Sequence, residues 1–282
     1  MRPRSLVYLG TPDMSVPPLR ALHEAGFDIR LVVTNPDTRR GRGSATAPSP
    51  VKAAAVELGL PVTHDVDDVL GCDADLGVVV AFGRIIRPHV LAALPMVNLH
   101  FSLLPRWRGA APVERAILAG DERTGVDLMV VEEGLDTGAV HARAELAIGP
   151  DETAAALRSR LVQAGTDLLV TSLQDGLEQP DPQVGEPVYA HKLGPEDLRI
   201  DWTAPAEQIH RQVRVGGAWT TLTGDRFKVW RTSLEPTGAG VLHATGSAPL
   251  ELLEVQPAGR ARMDARSWAN GARWSDGDRL GT

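Results

Sequence analysis

Two polar side chains at the end of an apolar run, and a carboxylate on a tight turn downstream, are the residues best suited to chemistry. Asn98 and His100 stand two apart in NLHFSLLPRWRGAAP, and Asp136 lies in EEGLDTG between Gly134 and Gly138. Alternate residues of a strand share a face, so an extended Val97–His100 aims the amide and the imidazole the same way. A carboxylate near an imidazole favours its protonated form and fixes its orientation. Beside an Asn amide, such a His makes two donors for an oxygen that becomes negative in a tetrahedral intermediate. Asp136 can also take up a proton from an attacking amine, directly or through water. Ser102 is tied to the strand's exit and is a poor acylated nucleophile, so direct acyl transfer to an amine fits better. The same three residues also read as ordinary polar groups at a strand end, and spacing alone does not decide between the two.

The elements that must position these groups alternate. Ser5–Gly10 reads as a strand, Val16–Ala25 as a helix opened by prolines and closed by Gly26, and Asp28–Thr34 as a strand. Ser49-Pro50 starts a helix to Leu58; Pro61–His64, the continuous apolar run Leu76–Ala81 and Val97–His100 are further strands. Strands alternating with helices predict an α/β fold with a parallel, doubly wound (Rossmann-like) sheet, whose ligands collect beyond the carboxyl ends of the strands. A helix at Ala111–Ala119, β-like runs at Gly125–Val131 and Ala139–Ile148, and a long helix capped by Asp151 with a stripe of Leu157, Leu161, Ala164 and Leu168 complete this part. The expected organisation is a catalytic domain over 1–180, a proline-rich linker over 181–203 and a small OB-like β-barrel over 204–282. The barrel reading rests on a helix at Ala204–Val215 and short runs at Ala218–Leu222, Phe227–Arg231, Gly240–Ala244 and Leu250–Val255. Five of the six tryptophans fall in this last third, as core packing or as stacking platforms for bases.

Composition excludes several classes. A net charge of −7 argues against indiscriminate nucleic-acid binding. Residues 1–185 carry 17 Lys and Arg against 24 Asp and Glu, and the rest 12 against 12. The densest basic clusters, Arg39-Arg40-Gly41-Arg42 and Arg106-Trp107-Arg108, lie in the acidic front part, which suggests a specific polyanion partner. A single cysteine, Cys72, excludes an internal disulfide and suits a reducing cytoplasm. No run approaches the ~20 apolar residues of a membrane span. Neither G-x-G-x-x-G nor a Walker loop follows Gly10-Thr11-Pro12-Asp13, and the histidines show no metal-ligand spacing. His23, His64, His89, His141, His191, His210 and His243 read as surface or linker residues without a polar partner.

The stretch from Asn98 to Pro112, with Gly134-Leu135-Asp136-Thr137-Gly138 downstream, resembles the signature of 10-formyltetrahydrofolate-dependent formyltransferases. The resemblance extends over nearly the whole chain, through GTPD at 10–13, PSPVK at 48–52, YAHKL at 189–193, IDW at 200–202, GAWT at 217–220 and VQPAG at 255–259. The Asn-x-His and Asp set is shared by all folate formyltransferases, whereas PRWRGAAP and the C-terminal motifs resemble the branch that formylates methionyl-tRNA. The resemblance implies that Asn98 and His100 polarise the formyl carbonyl and stabilise its oxyanion, and that Asp136 pairs with His100 and assists proton transfer. It implies that Ser102, Leu103, Leu104 and Pro105 line the folate site, that Phe82 and Gly83 border the pterin, and that Arg40 and Arg42 reach the tRNA acceptor end. The implied partners are the folate co-substrate and initiator Met-tRNA, with no metal and no membrane, for a cytoplasmic monomer.

Three features depart from the family pattern. Phe101 replaces the usual Gly and puts a bulky ring next to the site; Ser44-Ala45-Thr46 follow Gly41-Arg42-Gly43 where lysines are common; and roughly one hairpin is missing between Gly240 and Leu250. Formylation of a nucleotide-linked amino sugar is the main competing activity, and hydrolysis of the folate or RNA binding without catalysis are the others. DW, GAWT and VQPAG weigh against the sugar acceptor.

Overall fold

Valine-rich segments too apolar to face water on either side form the middle of a seven-stranded sheet in the computed structural model, which describes residues 2–39, 46–275 and 279–281. Its strands are β1 (Ser5–Gly10), β2 (Asp28–Val33), β3 (Val62–Thr63), β4 (Leu76–Val80), β5 (Met96–His100), β7 (Arg123–Val130) and β8 (Val140–Ala147), in the order β8-β7-β5-β4-β1-β2-β3. A separate strand, β6 (Arg106–Gly109), pairs in parallel with β9 (Val188–Ala190). All five residues of β4 are buried, as a strand covered on both faces requires, and each such Val or Leu contributes about 1.5–3 kcal/mol on burial. The helices α1 (Val16–Glu24), α2 (Pro50–Glu57), α3 (Pro88–Ala93), α4 (Pro112–Ala119) and α5 (Ala154–Asp175) alternate with the strands. Ser49 caps α2 by accepting from the Lys52 N–H at 3.0 Å, with Pro50 in the first turn.

The sheet is parallel from β3 to β5, and the chain leaves β1 in one direction through β2 and in the other through β4. The expected parallel, doubly wound arrangement is present from β3 to β5, and the sheet as a whole is mixed. β7 runs antiparallel to β5, with Asn98 opposite Met129 and His100 opposite Asp127. The turn at 131–139 then returns the chain directly into β8. The cap of the long helix is also corrected: α5 starts at Ala154, and the Thr153 hydroxyl accepts from the Ala156 N–H at 3.2 Å, while Asp151 stands 3.1 Å from His210. The buried stripe of α5 runs through Leu157, Leu161, Leu169 and Leu173, leaving Ala164 and Leu168 half-buried. Gly165 gives the strand beneath room, because a Cβ there would stand 3.0 Å from a Val126 methyl.

The chain divides into two compact units, one of Met1–Gly109, Thr124–Leu146 and Arg158–Ala190, the other of Ala110–Arg123, Ala147–Leu157 and His191–Thr282. The proline-rich stretch 181–203 is built into them. Asp181 and Val140 exchange backbone hydrogen bonds at 2.8 and 2.9 Å, and β9 follows, all within the first unit. In the second unit, Ile200 donates to the Trp219 carbonyl at 2.7 Å.

The second unit carries α6 (Ala206–Val215) and an antiparallel, curled sheet of β10 (Trp219–Leu222), β11 (Asp225–Ser233), β12 (Val241–His243), β13 (Leu250–Gln256) and β14 (Met263–Asp264), closed by α7 (Ala265–Ala272). Register shifts along β11 at Val229/Arg231 and Arg231/Thr232 are the bulges that bend this sheet. Phe227, Val229, Leu250, Leu252, Ile209, Val213 and Trp268 form its core, with Trp202 and Trp274 packed against it. Trp219 and Trp230 instead stand on the opposite, polar face.

The histidines depart most from their expected surface positions. His210 and His243 are buried at 3% and 4% exposure. His64 Nδ1 lies 3.0 Å from the Thr34 carbonyl, His89 Nε2 lies 2.9 Å from Asp67, and His141 Nδ1 lies 2.7 Å from the Glu178 carbonyl. His243 is held as a neutral ring: Nε2 accepts from the Leu280 N–H at 3.1 Å, so Nδ1 bears the hydrogen directed at the Ala244 carbonyl at 2.8 Å. Burial also holds both His210 and His243 below the ordinary imidazole range. A depressed folded-state value favours the folded form above the unfolded value, and that contribution is lost as pH falls through the folded one. Lowering the pH from about 7.5 to about 5.5 is therefore expected to lower the thermal midpoint, and His243→Gln to flatten this dependence. A wild-type midpoint that does not change over this range, read by circular dichroism, would contradict the assignment.

Candidate active site

His100 ends β5 at the carboxyl edge of the sheet, buried at 5% exposure, with half-buried Asn98 one pleat behind it. His100 Nε2 lies 2.9 Å from the Trp107 carbonyl oxygen, which can only accept, so this nitrogen bears a hydrogen. Nδ1 is left facing Asp136 Oδ2 at 3.6 Å, an ion-pair distance beyond a direct hydrogen bond. The other hold on that oxygen is the Gly109 N–H, which donates to it at 2.7 Å. Ala81, Trp107 and Asp136 have left-handed backbones at φ +46°, +69° and +51°. Side chains adopt this region at a cost of order 1–3 kcal/mol, and such strain collects where surrounding structure over-determines a site.

The chain between His100 and Gly109 is pinned along its length. Ser102, fully buried, donates to the Arg106 carbonyl at 2.6 Å, and the Arg106 N–H donates to Leu103 at 3.1 Å. Asp127, opposite His100 on β7 and fully buried, accepts from the Leu104 N–H at 2.8 Å. Arg143 on β8 donates to both Asp127 oxygens at 2.7 Å and to the Leu104 carbonyl at 2.9 Å. The Asp127 carboxylate holds the Arg143 guanidinium still further above its ordinary range. Behind the turn, Gln183 donates to the carbonyls of Asp136 and Gly138, both at 2.8 Å, and accepts from Arg108.

The structure brings Asn98, His100 and Asp136 to one edge. Among the candidate lining residues, Ser102 and Leu104 are buried in the turn, and Leu103 and Pro105 are half-buried. Leu103 packs on β7, where a Cβ at Gly125 would meet its methyl at 2.4 Å. Phe82 is buried with its carbonyl 3.2 Å from Thr11 Oγ1, whereas Gly83 is exposed at φ +75° with Ile85 following at 90% exposure. Phe101, just beyond the end of β5, is buried at 6% exposure. Arg40 and Arg42 lie outside the described residues; the flanking Thr38–Arg39 and Thr46–Ala47 pair as a short hairpin. Asp127, Arg143 and Gln183, which hold the turns carrying Leu104 and Asp136, are not singled out by the sequence. Asp127 carried a signal, a carboxylate within the apolar run GVDLMV. Among the described residues, no group of three or more His, Cys, Asp or Glu could hold a metal ion, and no helix is long and apolar enough to cross a membrane.

An amide and an imidazole at the carboxyl edge of an α/β sheet, with a carboxylate turned toward the ring, form a site for acyl-type transfer. Residues 4–173 match the formyl transferase family and residues 192–273 its C-terminal domain. The chain belongs to this family. Among curated proteins, it is 42% identical to the methionyl-tRNA formyltransferase of Heliobacterium modesticaldum, over 98% of this chain and 99% of that one. With the methionyl-tRNA formyltransferase of Roseobacter denitrificans it shares 43% identity over 96% and 97%. HypX from Aquifex aeolicus, solved in complex with tetrahydrofolic acid, has the same fold with a TM-score of 0.67 at 16% identity. That match covers 100% of this chain and 51% of HypX, so the chain spans about half of HypX but nearly all of its curated relatives. The Helicobacter canadensis N-formyltransferase, solved with folinic acid and dTDP-3-aminofucose, aligns with a TM-score of 0.67 at 17% identity over 90% of this chain and 99% of that one.

Asp127→Ala would leave the Leu104 N–H without its acceptor and Arg143 without its carboxylate. The expected loss is about 2 kcal/mol, because Arg143 is partly exposed and regains water. Urea unfolding measures it, and a midpoint equal to wild type would show that the pair does not hold the turn.

Proposed function

We propose that this protein transfers the formyl group of 10-formyltetrahydrofolate to the free α-amino group of initiator methionyl-tRNA, as a cytoplasmic monomer. The observation that carries the reading is the likeness, over nearly the full length of both chains, to methionyl-tRNA formyltransferases at 42–43% identity. The sugar N-formyltransferase likeness, at 17% identity, concerns the fold and carries no acceptor with it.

In this reading the folate is a substrate, and the chain's own residues act on the formyl carbon and the amine. The amine nitrogen attacks that carbon, and the carbonyl electron pair moves onto oxygen as the tetrahedral intermediate forms. The Asn98 amide donates to the oxyanion. His100 cannot do so through Nε2, whose hydrogen is engaged by the Trp107 carbonyl, so its working nitrogen is Nδ1. Nδ1 takes the proton released by the attacking amine, and Asp136 compensates the charge of the resulting imidazolium. The same proton then passes to the folate nitrogen, which leaves with the electron pair of the broken C–N bond. The products are formyl-methionyl-tRNA and tetrahydrofolate, and no enzyme-bound acyl group forms. The exposed backbone of Gly83 and the exposed Ile85, beyond the end of β4, suit the edge and face of a pterin ring. Arg40 and Arg42 are proposed to contact the acceptor end of the tRNA.

Formyl transfer should be measured with Met-tRNA and a panel of amino-sugar nucleotides as competing acceptors, and formyl-Met-tRNA is the expected product. Formylated sugar as the main product would overturn the acceptor, and formate alone would overturn the transfer. His100→Ala and Asp136→Asn are each expected to lower kcat at least ~10²-fold, the usual cost of losing an oxyanion or acid–base group; near-normal turnover in either would sink its catalytic role. Arg42→Ala is expected to raise the KM for tRNA more than that for folate, and unchanged tRNA kinetics would remove the loop from the acceptor site.

A further inference from the structure

Asp136 is held in a left-handed backbone conformation. At φ +51° it stands on an exposed turn, flanked by Leu135 at 61% exposure, with no strand or helix of its own to fix it. Its carboxylate must nevertheless meet two partners at once, the Gly109 N–H at 2.7 Å and His100 Nδ1 at 3.6 Å. A small rotation of the turn would break one of them, so something outside the turn has to set its orientation.

Gln183 is that group. Its side-chain nitrogen donates one hydrogen to the Asp136 carbonyl and the other to the Gly138 carbonyl, both at 2.8 Å, and so spans the bend on either side of Thr137. Its side-chain oxygen accepts from Arg108 at 2.6 Å from Nη2 and 3.1 Å from Nε. Arginine can only donate, which fixes the amide's orientation and aims the nitrogen at the turn. All four hydrogen-bonding capacities of the amide are thereby used. Arg108 immediately precedes Gly109, whose N–H holds the Asp136 carboxylate. One side chain thus joins the two stretches that must stay in register for Asp136 to face His100. At Gly138 the turn runs so close to β7 that an added Cβ would overlap the Val130 carbonyl.

We propose that Gln183, contributed by the proline-rich stretch after α5, is a positioning residue that sets where the Asp136 carboxylate stands relative to His100. The proposal rests on the catalytic role of Asp136. Gln183→Glu keeps the acceptor for Arg108 and removes both donors to the turn, so the link to Arg108 survives while the hold on Asp136 is lost. The expected result is a fall in kcat of ~10–100-fold, the scale of a misplacement of about 1 Å, with KM for both substrates within ~3-fold. Gln183→Met, which removes the donors without adding charge, is expected to behave alike.

The decisive measurement is a double-mutant cycle in single-turnover formylation of Met-tRNA. If Gln183 acts through Asp136, Gln183→Glu adds less than ~3-fold to the defect of Asp136→Asn. An undiminished penalty in the Asp136→Asn background would overturn the proposal, as would wild-type kcat in Gln183→Glu and Gln183→Met. If Asp136→Asn alone keeps full activity, the catalytic role beneath the proposal fails, an outcome recognisable without the Gln183 variants.

Discussion

The Gly109 N–H is where the two chemical segments of this molecule meet. His100 ends one strand, and Asp136 sits on a turn between two others, so neither faces the other by virtue of its own element. The chain leaving His100 therefore doubles back. Within nine residues it supplies the Trp107 carbonyl to one side of the imidazole and the Gly109 N–H to the carboxylate opposite the other. Left-handed backbones at Trp107 and Gly109 make this return, and Gly109 approaches β9 so closely that a Cβ would stand 2.9 Å from the Ala190 carbonyl.

That return would not persist unaided, since a turn rich in buried amides and carbonyls needs partners throughout. Asp127 and Arg143 provide them at Leu104, and Ser102 at Arg106. The use of a fully buried carboxylate opposite His100 has a further consequence. Asp127 is neutralised by a guanidinium on its own sheet, so its charge is satisfied locally and Asp136 remains the carboxylate facing Nδ1. Two acids near one imidazole thus differ in their partners: among the described residues, Arg143 pairs with Asp127 and not with Asp136.

How much of this is legible in the sequence follows from how local each cause is. The strand-and-helix order, the shared face of Asn98 and His100, and the Ser49 cap depend on period and short-range chemistry, and spacing alone reveals them. The direction of β7 depends on what the chain does between elements, and apolar runs carry no direction. Asp151 resembles a helix cap because it stands shortly before one, yet Thr153 takes the position. Gln183 is hidden for a different reason. Proline spacing marks a stretch without regular structure, but says nothing of whether it is tethered or packed, and here it is packed against the turn it fixes. The buried histidines escape notice likewise, since Thr232 for His210 and Leu280 for His243 lie more than twenty residues away in sequence.

In the second unit, net charge is a poor guide to where the cations lie. Beyond residue 185 twelve basic and twelve acidic residues cancel in the sum, but several of the described cations gather around two tryptophans. In the antiparallel register, Trp219 lies opposite Lys228, and Lys228 opposite Gln256, which places them on one face while Phe227 and Val229 fill the core behind. Arg226 lies 4.4 Å and Arg199 5.5 Å from the Trp219 ring, and Lys228 and Arg262 lie 5.4 and 4.9 Å from Trp230. Each indole N–H is anchored, Trp219 to the Pro195 carbonyl and Trp230 to Gln256, so the rings are held in fixed orientations. Cations at an aromatic face are attracted by the ring quadrupole, which holds these side chains together. Of the tryptophans of this unit, Trp268 on α7 lies in the core, while Trp219 and Trp230 stand on the outer face of their strands, a placement set by register rather than by composition.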